Sequence, residues 1–117
     1  MPNGKMATSK LKTPLYPEDL TGQNTTGIFK FYKYGRVVYC SIYANNVSAT
    51  DVTISGSTIH KIMDLPSGFE PLYTDAEVRD TFSNKRIVFD KTNKIVHCPD
   101  GITNTNLRGG ITYFSAS

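Results

Sequence analysis

The chain has 117 residues, of which 38% are hydrophobic and 20% are charged, so it is typical of one small globular domain. Its formal net charge of +3 is spread along the sequence, whereas a nucleic-acid surface is usually more concentrated, so we expect no nucleic-acid partner. No apolar signal segment follows Met1 and no run is long enough to span a membrane, so we expect no membrane insertion.

Residues 1–26 contain several prolines and glycines, many polar residues and no sustained apolar periodicity. A segment of this composition does not build a core alone, so we predict an extended N-terminal arm for attachment or subunit contact. Within it, Pro17 followed by two acids is typical of the first turn of a helix. We place the folded domain at residues 27–117.

The domain opens with two runs of alternating apolar residues on either side of Gly35. Such runs around a glycine turn predict a β-hairpin, with Phe29 and Phe31 on one face of its first strand. Residues 44–57 are polar, with a short apolar hint at Val52 and Ile54, and residues 58–63 are the next strand candidate.

Residues 65–71 read Leu-Pro-Ser-Gly-Phe-Glu-Pro and predict a rigid corner. Pro66 and Pro71 lack backbone donors, so neither a helix nor a central strand can cross this segment. We expect Leu65 and Phe69 to anchor the corner in the core.

The second half of the chain contains further short strand candidates separated by turn signals. These candidates are residues 76–82, 86–89, 95–98 and 111–115, with residues 104–110 predicted as a polar loop. About seven short strands and no helical period predict an all-β fold, an antiparallel β-sandwich or partly closed barrel.

No catalytic constellation is visible, so we expect the protein not to be an enzyme. His97 and Cys98 are neighbours, but adjacent strand residues point to opposite faces and do not readily share a proton. Cys40 and Cys98 are either two buried free thiols or the partners of one disulfide. The absence of a secretion signal favours free thiols.

Metal and cofactor sites are not indicated either. The two histidines and two cysteines lack the paired spacing of a zinc site, and no phosphate-binding glycine loop occurs. The acidic cluster Asp75, Glu77 and Asp80 suits a calcium site, a glycosidase pair or a solvated strand face, and we favour the solvated face.

The chain has 7 tyrosines, too many for the core of so small a domain. Tyrosine combines an apolar ring with a polar tip, which suits subunit interfaces and sugar binding. Half-buried packing at the sheet edges is the alternative.

The hairpin of residues 27–39, the corner of residues 65–71 and the strands after it resemble a pattern in tailed-bacteriophage virion proteins. The chain is similar, over residues 27–117, to the β-sandwich head domain of receptor-binding, baseplate and fibre proteins. It lacks the long shaft that normally precedes such heads and contains no tryptophan, which often lines saccharide sites.

This resemblance implies a homotrimer located in the virion and assembled in the host cytoplasm. We therefore expect a non-enzymatic structural module (fibre, decoration or tail accessory) that contacts other virion proteins through residues 1–26 and contributes to host attachment. The alternative is a lectin-like domain for host cell-wall saccharide. Its candidate saccharide-binding residues, chosen for their place in or beside predicted loops, are Tyr73, His97, Asp100 and Arg108.

Overall fold

The computed structural model describes residues 15–20 and 26–117, with side chains from Phe29 onward. Within these residues nine strands form two antiparallel sheets. Sheet A has the order β1-β2-β3-β9, and sheet B has the order β4-β5-β8-β7-β6. The predicted all-β sandwich is thus confirmed, with two more strands than the sequence pattern indicates.

The strands are β1 Leu15–Leu20, β2 Thr26–Tyr34, β3 Val37–Val47, β4 Thr50–Ile54, β5 Ser57–Asp64, β6 Ala76–Arg79, β7 Arg86–Asp90, β8 Ile95–His97 and β9 Thr105–Phe114. Most of the predicted arm lies outside the described residues. In its described part, β1 pairs with β2 where Pro17 predicted a helical turn. The register shifts between Leu15 and Glu18, as expected where a proline sits in an edge strand.

The predicted hairpin is confirmed as β2 and β3, which stay in register from Thr26 opposite Asn45 to Tyr34 opposite Val37. Gly35 occupies the turn with a φ of 62°, a region that glycine enters without steric penalty. Because side chains alternate across each strand, the hairpin delivers one apolar face to the core. The buried residues of that face are Phe29, Phe31, Val38, Cys40, Ile42 and Ala44.

A second hairpin joins β4 and β5. In the sequence, the β4 segment is polar, with Val52 and Ile54 as its apolar residues. The two-residue loop of this hairpin is Ser55 and Gly56, with φ values of 50° and 82°. Two successive positive φ values match the type I′ turn, whose twist suits flanking antiparallel strands. This hairpin forms one edge of sheet B.

The corner of residues 65–71 is confirmed as neither helix nor central strand. Phe69 N–H donates to the Pro66 carbonyl at 3.1 Å, and Leu65 and Phe69 are both buried. Pro71 forms an isolated bridge to Ser115, and the Tyr113 hydroxyl donates to the Phe69 carbonyl at 2.8 Å. The corner therefore ties the chain leaving sheet B to the last strand of sheet A.

One charged side chain is buried beneath this corner. Lys33 continues the inward face of β2, and its Nζ donates to the Gly68 carbonyl and lies 5.1 Å from the centroid of the Phe69 ring. Its removal from water lowers the pKa of Lys33, although the charge of Glu70 opposes that shift. The lysine thus holds the corner against sheet A.

The prediction of a loop at residues 104–110 is wrong, because β9 runs from Thr105 to Phe114. Leu107 is fully buried opposite Ala44, so the polar-looking segment contributes to the core. The side chain of Tyr39 lies over Gly110, where a Cβ would come within 2.7 Å of the tyrosine hydroxyl. Tertiary pairing with β3 makes this glycine-containing segment a strand.

Aromatic rings from both sheets meet in the core. Phe31 lies 5.6 Å from Phe69 and 6.1 Å from Phe89 between ring centroids, with steep interplanar angles of 74° and 69°. Phe89 in turn lies 5.5 Å from Tyr113. Edge-to-face contacts of this kind stabilise a core beyond the burial of area alone.

Asp80 joins the edge of sheet B to the edge of sheet A. The predicted strand of residues 76–82 ends at Arg79, because the buried Asp80 carboxylate organises a turn. That carboxylate accepts hydrogen bonds from the backbone N–H of Phe82 at 3.1 Å, from the backbone and hydroxyl of Ser83, and from Arg108 N–H in β9. The expectation of a solvated Asp80 is therefore wrong.

Candidate functional site

The outer face of sheet A carries an unusual set of exposed apolar side chains. These residues, which we call the aromatic face, are Tyr34, Val37, Tyr39, Tyr43 and Phe114, and their exposed fractions range from 40% to 60%. Tyr34 lies opposite Val37 and Val37 opposite Phe114, so three of the five form one continuous row across the sheet. A contiguous apolar surface is a common mark of an interaction site.

Two exposed loop residues extend this surface at the β9 edge. Tyr73 is 81% exposed and lines, together with Phe114, an apolar groove of about 230 Å³. Phe82 is 69% exposed, and its ring centroid lies 5.9 Å from the guanidinium carbon of Arg108. The large apolar residues exposed in the described part of the chain, seven in all, therefore lie on or beside one face.

Arg108 lies in β9 rather than in the predicted loop. Its guanidinium carbon is 3.7 Å from the centroid of the Tyr43 ring, a cation–π contact. The same group donates to the Ala44 carbonyl at 3.1 Å and to the Asn45 side chain at 2.7 Å. These bonds hold the guanidinium flat over the edge of the aromatic face.

A different surface feature opens where the ends of both sheets meet. This polar cleft has a volume of about 780 Å³, and its lining residues are Ala49, Asp51, His60, Lys85, Asp100, Gly101, Ile102, Thr103 and Thr105. Its walls come from the β4–β5 hairpin, the loop before β7 and the loop between β8 and β9. Its size is that of an ordinary small-molecule site.

One wall of the polar cleft is a histidine–carboxylate pair. His60 Nδ1 lies 2.7 Å from Asp51 Oδ1 across the β4–β5 hairpin, where the two residues are in register. Gly101, with a φ of 74°, places its backbone against the imidazole, and a Cβ there would lie 3.6 Å from the ring. The pairing and packing fix the orientation of the ring.

His97 lies on the outer face of sheet B, away from the polar cleft. Its Nε2 is 3.2 Å from Asp90 Oδ2, and Asn93 donates to both oxygens of the same carboxylate at 2.9 Å. Burial opposes the ionisation of Asp90, but the hydrogen bonds from Asn93 and the charge of His97 outweigh it and lower the pKa. This partly buried pair stabilises the β7–β8 hairpin.

The structure does not bring the four candidate saccharide-binding residues together. Asp100 lines the polar cleft, Tyr73 lines the apolar groove, Arg108 lies over Tyr43, and His97 pairs with Asp90. Sequence reasoning missed Asp51, His60 and Lys85 as lining residues of the cleft. The turn signature Pro99-Asp100-Gly101 was the one local signal close to it.

The acidic cluster does not form a common site, because each carboxylate has separate partners. Asp75 accepts from the Lys91 backbone at 2.9 Å, Glu77 pairs with Arg86 at 3.1 Å, and Asp80 is buried in its turn. Among the described residues, no group of three or more histidine, cysteine or acidic side chains is arranged to hold a metal ion.

Both cysteines are free and buried, in agreement with the preferred prediction. Burial raises the pKa of Cys40 and of Cys98, so both thiols stay protonated and are poor nucleophiles. Cys98 belongs to the core while His97 contacts Asp90, so the two neighbours face opposite sides, as strand alternation predicts.

Comparisons with known proteins add no relative: no family model, no curated protein and no solved structure matches the chain. In the part of the chain that the structure describes, no helix has the length and apolar character needed to cross a membrane.

Proposed function

We propose that the protein is a non-enzymatic structural module of a bacteriophage virion, a fibre, decoration or tail-accessory component. Residues 1–26, whose described part also supplies strand β1 of sheet A, attach it to other virion proteins, and the sandwich domain contributes to contact with the host surface. The resemblance of the hairpin and the corner at residues 65–71 to phage head domains supports this proposal. The all-β sandwich is compatible with it.

The observation that carries the proposal is the placement of the exposed apolar residues. All seven that are exposed in the described residues lie on or beside the outer face of sheet A. Contiguous exposed apolar patches commonly mark protein–protein contacts, and a subunit of an assembly buries such a surface against its neighbour. The resemblance to phage head domains implies a homotrimer, and we propose that the aromatic face forms its subunit contact.

Light scattering coupled to size-exclusion chromatography tests this proposal with the full chain at micromolar concentration. We expect a trimer, and we expect Tyr39→Glu combined with Phe114→Glu to dissociate it, because two charges would be buried in the contact. Thr53→Glu, at an exposed position of β4, is the matched control and should leave the mass unchanged. A monomeric wild-type chain, or a trimer that tolerates both glutamates, would contradict the proposal.

A second candidate function is recognition of a host cell-wall saccharide by a lectin-like domain. The specific observation in its favour is the polar cleft, which contains Asp100 and is of small-molecule size. In this alternative the sandwich presents a ligand site to the host while the aromatic face holds the assembly together.

A further inference from the structure

The polar cleft contains charged side-chain groups that have no hydrogen-bond or ion-pair partner among the described residues. The Lys85 ammonium and the Asp100 carboxylate both line it, yet neither makes a hydrogen bond or an ion pair with a described residue. Asp51 uses Oδ1 to bind His60, which leaves Oδ2 available, and its side chain is 67% exposed. Donor and acceptor groups of opposite charge thus line one cavity without satisfying each other.

The rest of the lining is small or hydroxylated. Thr103 and Thr105 lie on the side formed by the start of β9, and the Thr105 hydroxyl donates to the Thr103 carbonyl at 2.9 Å. The Ala49 N–H donates to the Ile102 carbonyl at 3.0 Å, which joins the β3–β4 turn to the loop before β9. These two hydrogen bonds stabilise the loop between β8 and β9 and its contact with the β3–β4 turn.

This arrangement excludes several classes of ligand. Among the described lining residues, a phosphate or carboxylate would face two carboxylates, Asp51 and Asp100, and one lysine, with no arginine to clamp it. An apolar ligand would leave the charged walls without partners. A metal ion lacks a suitable group of ligands among the described residues.

We infer that the polar cleft binds a neutral saccharide unit. A sugar hydroxyl both donates and accepts, so neighbouring hydroxyls can donate to Asp100 and Asp51 and accept from Lys85. His60, held by Asp51 and packed against Gly101, offers its Nε2 and one ring face to the same ligand. This inference rests on the second candidate function and assigns it a site formed mainly by residues outside the set predicted from the sequence.

Nuclear magnetic resonance titration of the ¹⁵N-labelled full chain tests the site. The probes are glucose, galactose and N-acetylglucosamine at millimolar concentration, with inorganic phosphate as a charged comparison. We expect at least one sugar to shift the amide signals of Ala49, Asp51, Gly101 and Thr103. Phosphate should shift none of them.

Two matched pairs of variants sharpen the test. Asp100→Asn and Lys85→Gln should each weaken sugar binding by about tenfold, because each loses a charge-assisted hydrogen bond. Asp64→Asn and Lys91→Gln, which lie outside the cleft, should bind like the wild type. Equal affinity of all four variants would overturn the inference.

The remaining outcomes separate this inference from the functions on which it rests. Shifts confined to residues around Tyr73 and Phe114 would retain saccharide recognition but overturn its assignment to the cleft. Stronger shifts with phosphate than with the sugars would overturn the ligand class. No shift with any sugar would overturn both the site and the lectin-like function, while the assembly proposal would still be decided by the mass measurement.

Discussion

The outer faces of the two sheets differ in the chemistry of their side chains. Sheet B turns charged groups outward and pairs them: Glu77 binds Arg86 through two hydrogen bonds, Lys61 binds Asp64, and His97 binds Asp90. Sheet A turns rings outward, with Tyr34, Tyr39, Tyr43 and Phe114 all substantially exposed. The charged groups of sheet B are thus paired with one another, whereas the outer face of sheet A leaves apolar area exposed to water.

The strand pattern alone therefore does not identify which outer face remains in contact with solvent. Both sheets supply an inner face to the same core, where Phe31 of sheet A meets Phe89 of sheet B. Only the chemistry of the outward-facing residues distinguishes a surface of paired charges from an apolar surface suited to contact with another subunit.

The first prediction separates the two faces of sheet A. Phe31→Ala should lower the free energy of unfolding by about 3–5 kcal/mol, because a fully buried ring leaves a cavity among Phe69 and Phe89. Tyr39→Ala should lower it by only about 1 kcal/mol, because 44% of this residue is already exposed to water in the folded chain. Urea unfolding at a concentration where the variant is monomeric measures both values. Equal losses would mean that the aromatic face belongs to the folding core.

The second prediction concerns the partly buried pair on sheet B. Because the pKa of Asp90 is lowered in the folded protein, its contribution to stability is present above the ordinary value of 3.8 and is lost as the pH falls through the lowered value. Asp90→Asn should therefore be less stable than the wild type at neutral pH, with a difference that shrinks in acid. Urea midpoints across the acid range provide the measurement, with Asp64→Asn as control. A difference independent of pH would count against this account.

The third prediction concerns the exposed pair of sheet B. Glu77→Gln breaks the contact with Arg86 but should shift the melting temperature by less than about 2 °C, because water screens exposed pairs. Thermal unfolding at low and high salt checks this, and the shift should shrink further at high salt. A larger shift that persists in high salt would show that sheet B depends on this pair.

The parts of the fold that could be predicted are those with local causes. Alternation placed Phe29 and Phe31 inward, and the prolines at 66 and 71 excluded regular structure from the corner. The first half of β9 was missed because Gly109 and Gly110 are poor strand formers, and its partner β3 lies far away in sequence. Likewise, nothing local marks Asp80 as buried, because its hydrogen-bond donor Arg108 belongs to β9.

The candidate sites were harder to predict for the same reason. The polar cleft combines Asp51 and His60 from one hairpin with Lys85 and Asp100 from two separate loops. No spacing in the sequence links these four residues, and only the sandwich brings them together. The pairing of His60 with Asp51 requires the β4–β5 register, which follows from the turn at Ser55 and Gly56.

The Asp80 turn has a consequence for the order in which the chain folds. Its carboxylate binds the local N–H groups of Phe82 and Ser83 but also the N–H of Arg108, which is synthesised later. The turn can therefore form early, yet it is completed only when β9 docks beside β3. A nascent chain that ends before β9 would lack the partner of β3 and the last donor to Asp80, so we expect docking of β9 to complete the native fold.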